Sequence, residues 1–178
     1  RKINKNYLNK HLFFPNGISQ SQKKLFKSLI KNNISVNECM TFGYFGGLGK
    51  SNDVYSVLET FIESKKIFRF YIYGDGTEKK FLKQICDERF VFLEPITRIN
   101  ALKKMNEMDV LCLATPNKKI YNYGIASLKL VDYLIVEKPI IHFSSKSHNF
   151  ISKSNLGFGI YTENSLHKRT TELDEIIK

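Results

Sequence analysis

Residues 40–76 decide the fold, and they read MTFGYFGGLGKSNDVYSVLETFIESKKIFRFYIYGDG. Residues 40–45 and 67–73 are short apolar runs without clean alternation, a pattern typical of strands that are covered on both faces. Between them, apolar residues recur at the spacing of one helix face, at Val54, Val57, Leu58, Phe61 and Ile62. The stretch therefore predicts a strand, a helix and a second strand, joined by glycine-rich turns.

The same alternation continues to the end of the chain. Further strands are predicted at residues 89–94, 109–114, 138–143 and 157–162. Helices are predicted at residues 77–86, 98–108, 127–137 and 163–178, with Thr77, Thr97 and Ser127 as N-caps. Such alternation is typical of βαβ units. We therefore predict a doubly wound α/β domain, with a mostly parallel, Rossmann-like sheet of about six strands and helices on both faces.

The first part of the chain has a different character. It is basic and rich in asparagine, and it contains the Pro15-Asn16-Gly17 turn and a short helix predicted within residues 21–32. We expect residues 1–35 to be an inter-domain linker from a longer protein, and residues 36–178 to form the Rossmann-like domain. No apolar run reaches the length of a membrane span, and the first residues do not resemble a signal peptide.

The net charge of +11 favours anionic partners such as nucleic acid, anionic lipid surfaces or phosphate-bearing small molecules. No acidic residue precedes Glu38. A lysine-rich, solvated surface explains the charge equally well. The three cysteines, Cys39, Cys86 and Cys112, lack metal-ligand spacing and are expected to be reduced thiols of a cytosolic protein.

The glycine turn GYFGGLGKS at residues 43–51 ends like a phosphate-binding P-loop. The P-loop spacing requires a first glycine at position 44, which is Tyr44, so the backbone could not wrap a phosphate in that way. A dinucleotide fingerprint starting at Gly47 also fails, because Asn52 replaces its third glycine. The carboxylate of Asp75 could still accept a hydrogen bond from a ribose hydroxyl. A dinucleotide-dependent oxidoreductase therefore remains an alternative.

A second candidate site begins at Ser127, the predicted start of a helix. Free N–H groups at such a start suit a phosphate, and Lys129 adds a cation in the first turn. Asp132 follows near the mouth of the same site, where a carboxylate can accept both hydroxyls of a ribose. Without further support, these residues could equally form a capped helix with an exposed acid and base.

Six segments, taken in order, resemble the carboxyl-terminal, donor-binding half of GT-B-fold retaining glycosyltransferases of group 1. They are PNGIS (15–19), YFGGLGKSNDVYSVLETF (44–61), FYIYGDGTEKKFLKQ (70–84), VFLEPITRINALKKMNEMDVLCLA (91–114), YGIASLKLVDYLIVEKPII (123–141) and NLGFGIYTEN (155–164). The resemblance implies transfer of a sugar from a nucleoside diphosphate sugar, with retention and without an essential metal or other cofactor. It also implies that the amino-terminal, acceptor-binding domain is absent from this chain.

The resemblance implies a set of nucleotide-sugar-binding positions. These are Gly46, Gly47, Gly49, Lys50, Gly74, Asp75, Gly76, Glu94, Pro95, Ile96, Tyr123, Gly124, Ser127, Leu128, Lys129 and Asp132. The family's typical pair of glutamates, eight positions apart, falls on Gly124 and Asp132, and its basic pair falls on Gly47 and Asn52. The catalytic residues are therefore unassigned, with Lys50 and Lys129 as candidates.

Members that lack the first glutamate include capsule and lipopolysaccharide transferases, so the resemblance implies a role in surface polysaccharide synthesis. The expected partners are a nucleotide sugar, a glycan or lipid-linked acceptor bound through the missing domain, and an anionic membrane surface, but not nucleic acid. The expected location is the cytoplasm or the inner face of the membrane. A sugar-nucleotide epimerase of the same fold is a further alternative, and a nucleic-acid-binding module is suggested by charge alone.

Overall fold

A computed structural model describes residues 17–29, 39–123, 127–148 and 150–177. The strands are β1 (Met40–Phe45), β2 (Phe68–Tyr73), β3 (Phe90–Leu93), β4 (Val110–Ala114), β5 (Ile140–Ser144) and β6 (Gly157–Tyr161). The helices are α1 (Gln20–Leu29), α2 (Val54–Glu63), α3 (Lys79–Ile85), α4 (Arg98–Asn106), α5 (Leu128–Val136), α6 (Phe150–Lys153) and α7 (Leu166–Ile176). Short 3₁₀ helices cover Lys119–Tyr123 and Lys146–His148.

The described strands form one sheet in the order β3-β2-β1-β4-β5-β6, and every neighbouring pair is parallel. The predicted doubly wound α/β sheet is therefore confirmed. The chain moves outward from β1 to β3 and then returns to β4 on the other side of β1. At such a switch point the following loops diverge, and they leave a crevice at the carboxyl ends of the strands.

Each face of the sheet carries its own apolar core, which confirms helices on both faces. On one face, α2, α3 and α7 contribute buried residues such as Phe61, Leu82 and Leu173. On the other, α1, α4, α5 and α6 contribute Phe26, Leu102, Tyr133 and Ile151, among others. Because both faces are covered, β1, β4 and β5 are buried along almost their whole length. In β2, buried residues alternate with more exposed ones.

The predicted helix starts are confirmed at two positions and wrong at one. Thr97 and Ser127 are N-caps. The side chain of each accepts a hydrogen bond from the backbone N–H three residues further along the chain. Thr77 is not a cap, because α3 begins two residues later, after Glu78. The backbone N–H of Glu78 donates to the carbonyl of Leu48, so this turn is fixed by the neighbouring loop rather than by a threonine cap.

The expected short helix near the start of the chain is present as α1. Phe26 of α1 is buried and packs within the core beneath α4 and α5. The proposed domain boundary at residue 36 lies outside the described residues and stays a prediction. Helix α6 and the two 3₁₀ helices were not expected from the sequence.

Candidate functional site

A cleft of about 480 Å³ lies at the carboxyl ends of the strands, beside the switch point. This volume is within the range of small-molecule sites. Its walls come from the turns after β1, β2 and β3 and from α4 and α5. Eight predicted site residues line it, namely Gly46, Gly47, Gly74, Asp75, Pro95, Ile96, Lys129 and Asp132. The structure thus brings together residues from four separate segments of the chain.

Five further residues line the same cleft and were not selected from the sequence. They are Phe45, Tyr73, Arg98, Ala101 and Met105. The rings of Phe45 and Tyr73 are stacked, with centroids 4.7 Å apart. They are paired at the ends of the adjacent strands β1 and β2, so they line the cleft next to the glycine turns that follow these strands. Their strand-end positions were the available signal in the sequence.

Of the eight remaining predicted residues, six lie in the described ranges and do not line the cleft. They are Gly49, Lys50, Gly76, Glu94, Ser127 and Leu128. Lys50 is exposed to solvent. Glu94 forms an ion pair with Lys79 at 2.8 Å. Tyr123 ends a 3₁₀ helix, and Gly124 lies outside the described residues.

The glycines of the first two turns let these turns pack against each other. Gly46 has a φ of +146°, and its N–H donates to the carbonyl of Tyr73. A β-carbon at Gly74 would lie 2.0 Å from the carbonyl oxygen of Gly46. A β-carbon at Gly76 would lie 2.5 Å from the backbone of Leu48. Gly46, Gly74 and Gly76 therefore permit the close approach of these two turns.

Lys129 is the cation of the cleft. Its ammonium donates to the hydroxyl of Tyr44 at 2.7 Å and lies 4.0 Å from the centre of that ring. The Tyr44 hydroxyl in turn donates to the carbonyl of Gly47 at 3.0 Å. Burial lowers the pKa of Lys129 to about 8 and raises the pKa of Tyr44. No carboxylate pairs with Lys129 among the described residues, so the site favours an external anion.

The start of α2, which follows the glycine turn, differs from the start of α5 because it carries an acidic residue. Asp53 occupies its N-cap position with a left-handed backbone. Its carboxylate accepts a hydrogen bond from the hydroxyl of Ser56 at 2.8 Å. Burial raises the pKa of Asp53. An incoming phosphate would meet this acidic group, so the start of α5, which carries Lys129 in its first turn, suits an anion better than the start of α2.

Asp132 is held by Arg98, which sequence reasoning missed. Nε and Nη2 of Arg98 donate to the same carboxylate oxygen, Oδ1, at 2.9 and 2.6 Å. The Arg98 side chain is 43% exposed and that of Asp132 is 13% exposed. The guanidinium also lies over the ring of Phe26, 5.2 Å from its centre. An arginine at the first position of a helix was the available signal, because a cation is disfavoured there.

Tyr133 anchors the helix that carries Lys129 and Asp132. It is fully buried, and its hydroxyl donates to the carbonyl of Cys112 at 3.1 Å. The same oxygen accepts the N–H of Phe45 at 3.2 Å. One side chain of α5 is thus bonded to both β4 and the end of β1. This fixes the first turns of α5 against the glycine turn.

The described residues contain neither a cluster of metal ligands nor a helix suited to cross a membrane. No group of three or more His, Cys, Asp or Glu side chains is arranged to hold a metal ion there. In the same ranges, no helix combines the length and apolar character required to cross a bilayer. Cys39, Cys86 and Cys112 are all free thiols, and burial raises the pKa of Cys86 to about 12.

The fold and the cleft define a doubly wound α/β domain with a ligand crevice at its switch point. More particularly, the chain has the fold of the carboxyl-terminal domain of a group 1 glycosyltransferase of the GT-B type. That domain of LpcC from Francisella tularensis superposes with a TM-score of 0.59 at 16% identity, over 93% of this chain and 85% of the other.

Two longer structures are similar over 90% of this chain. TarM from S. aureus, in a complex that contains UDP, has a TM-score of 0.58 and 12% identity. HepE from Anabaena, in complex with UDP-glucose, has a TM-score of 0.51 and 17% identity. The chain spans 36% of TarM and 43% of HepE. No family profile matches the sequence, and no curated protein matches it either.

Proposed function

We propose that this chain is the donor-binding half of a glycosyltransferase that takes its sugar from a nucleoside diphosphate sugar. One observation carries the proposal. Lys129 and Asp132, one turn apart on α5, line a cleft opposite the glycine turn at the switch point of the sheet. The cleft thus presents a cation without a carboxylate partner among the described residues and, one turn further along α5, a carboxylate that could accept ribose hydroxyls.

In this proposal each side chain has a chemical task. Asp132 accepts the ribose hydroxyls, and the ammonium of Lys129 contacts the diphosphate. The turns at residues 74–76 and 94–96 border the base. Negative charge develops on the diphosphate as it leaves the sugar, and a fixed cation in a partly desolvated site stabilises that charge. Lys129 is better placed for this task than Lys50, which is exposed and outside the cleft walls.

The acceptor is proposed to bind through another domain. The chain spans less than half of TarM and of HepE, so most of those proteins has no counterpart in it. We expect this chain to bind a nucleotide without transferring sugar by itself. Sugar transfer by the purified chain, measured with a radiolabelled donor and a range of acceptors, would overturn this expectation.

The finer assignments belong to the same proposal. They are retention at the anomeric carbon, independence from a metal, a cytoplasmic location and a role in surface polysaccharide or lipopolysaccharide synthesis. The net charge of +11 favours an anionic membrane surface, where a lipid-linked acceptor would be found. Sedimentation with vesicles tests this contact, and equal binding to anionic and zwitterionic vesicles would exclude it.

A thermal-shift screen tests the proposed function directly. A ligand that binds only the folded chain raises its melting temperature. The screen includes UDP, GDP, ADP and CMP with their sugars, and NAD for the oxidoreductase alternative. We expect a nucleoside diphosphate to raise the melting temperature and the Lys129→Ala variant to lose the shift, with Lys50→Ala as the matched control. A shift with NAD and with no nucleoside diphosphate would contradict the proposal.

A further inference from the structure

Arg98 and Asp132 form a directed contact across the cleft, from the first residue of α4 to the second turn of α5. Both hydrogen bonds of the guanidinium go to Oδ1 of Asp132. Among the described residues, Oδ2 accepts no hydrogen bond. The carboxylate is therefore held by one oxygen, while the other remains able to accept a hydrogen bond from a ligand.

The position of Arg98 is not explained by helix stability. A positive charge in the first turn opposes the helix dipole, whereas Lys103 and Lys104 at the other end of α4 favour it. Thr97 already caps this helix. The arginine is instead suited to its partner, because a planar guanidinium fixes the orientation of a carboxylate better than an ammonium does.

Arg98 is itself held from the outer side by α1. The ring of Phe26, which is 5% exposed, lies 5.2 Å from the guanidinium carbon. Such a cation–π contact adds to the orientation of the arginine. The three side chains form a series from α1 through α4 to α5. A helix that precedes the first strand is thereby connected to the nucleotide cleft.

We infer that Arg98 is a positioning residue for the ribose of the nucleotide, and that Phe26 of α1 supports it. Arg98 orients Asp132 so that Oδ2 meets the ribose hydroxyls. This inference rests on the proposed function, since it assigns a task to residues beside the proposed ribose acceptor.

The test is isothermal titration calorimetry of the full chain with UDP, GDP and ADP, and with the 2′-deoxy form of whichever binds. We expect Arg98→Gln to weaken ribonucleotide binding about tenfold, which corresponds to one charge-assisted hydrogen bond. The preference for the ribose over the deoxyribose form should fall towards one. Arg98→Lys should behave similarly because it keeps the charge and loses the fork. Lys103→Gln, an exposed position on the same helix, is the matched control.

Phe26→Leu keeps an apolar side chain and removes the ring face. We expect it to weaken ribonucleotide binding about threefold and to reduce the same preference. This variant and Arg98→Lys also carry the test if Arg98→Gln does not fold.

The outcomes distinguish failure of the proposed function from failure of the role assigned to Arg98. Failure of all three ribonucleotides to bind the unmodified chain would overturn the proposed function, and this inference with it. Binding by the unmodified chain, with unchanged or tighter binding by Arg98→Gln and Arg98→Lys, would overturn the inference alone. A tighter-binding variant would mean that Arg98 competes with the ribose for Asp132.

Discussion

The ammonium of Lys129 lies 2.7 Å from the hydroxyl of Tyr44 and 4.0 Å from the centre of its ring. Tyr44 is fully buried, so the lysine is held above an apolar surface rather than beside a carboxylate. Such a cation keeps its affinity for an external anion, because no carboxylate of the described residues forms an ion pair with it. The protonation state of Lys129 should therefore affect the binding of an anionic ligand in the cleft.

Nucleotide affinity should fall as the pH rises from 7 to 9. The pKa of Lys129 is lowered by burial from 10.5 to about 8, so the free cleft loses its cation in this window. A bound diphosphate favours the charged form and draws a proton into the cleft. We expect UDP affinity to fall about tenfold between these pH values. Calorimetry in two buffers of different ionisation enthalpy should show proton uptake at pH 8.5.

The matched variants for this experiment are Lys129→Met and Lys50→Met. The first should bind weakly at every pH and take up no proton, whereas the second should behave like the unmodified chain. The stability of the free chain should depend on pH in the opposite direction to nucleotide affinity. Because unfolded lysine binds its proton more tightly, the free energy of unfolding should gain from Lys129 as the pH rises from 8 to 10.5. Proton uptake by Lys129→Met would exclude this assignment.

Replacing Gly46 by alanine should damage both stability and binding. The new β-carbon would lie 2.6 Å from Cε of Lys129, at a φ of +146° that side chains rarely adopt. We expect a loss of about 1–3 kcal/mol in the free energy of unfolding. Urea denaturation measures this loss. Gly49→Ala is the control, because its nearest contact would be 3.8 Å away, and an equal effect at both positions would contradict the assignment.

Replacing Tyr133 by phenylalanine should destabilise the domain. The change removes one buried hydroxyl and leaves the carbonyl of Cys112 and the N–H of Phe45 without this partner. We expect a loss of about 1–3 kcal/mol. Tyr55→Phe provides the comparison, since Tyr55 is 40% exposed and should change stability by less than about 0.5 kcal/mol. Chemical denaturation of the two variants side by side decides the matter, and equal losses would refute the prediction.

Removing the carboxylate of Glu59 should loosen α7 from α2. Arg169 is 7% exposed, and its guanidinium donates to Glu59 at 2.8 Å and to the hydroxyl of Thr60 at 3.0 Å. Glu59→Ala leaves a nearly buried charge without its counterion. Because Glu59 is itself partly exposed, we expect about 2 kcal/mol, less than for a fully buried pair. Thermal unfolding should show little change for Glu63→Ala, an exposed position on the same helix.

Local sequence patterns were sufficient to predict most of the elements. The apolar runs at β1 and β2 and the helical spacing from Val54 to Ile62 lie where the structure has strands and a helix. Thr97 and Ser127 were recognisable as caps because each acts on a residue three positions away. Thr77 was misread because its turn is fixed by Leu48, which is distant in sequence.

The candidate site shows the same division. Lys129 and Asp132 could be selected because they follow a recognisable helix start. Arg98 stands out only as a cation at a helix start, and its task stayed hidden because its partners Asp132 and Phe26 are distant along the chain and belong to other helices. The different environments of Lys50 and Lys129 were equally hidden, because burial above Tyr44 arises only when β1 and α5 pack together.

By itself, the sequence determined the order of strands and helices, their approximate bounds and the doubly wound class of the sheet, because periodicity and caps act over a few residues. Only the tertiary structure decided which residues share the cleft, which lysine is its cation and which arginine holds Asp132. These properties depend on distances between segments and on the exclusion of water. The glycines illustrate both levels, since their spacing is visible in the sequence, whereas the φ of +146° that favours glycine at position 46 is a property of the folded turn.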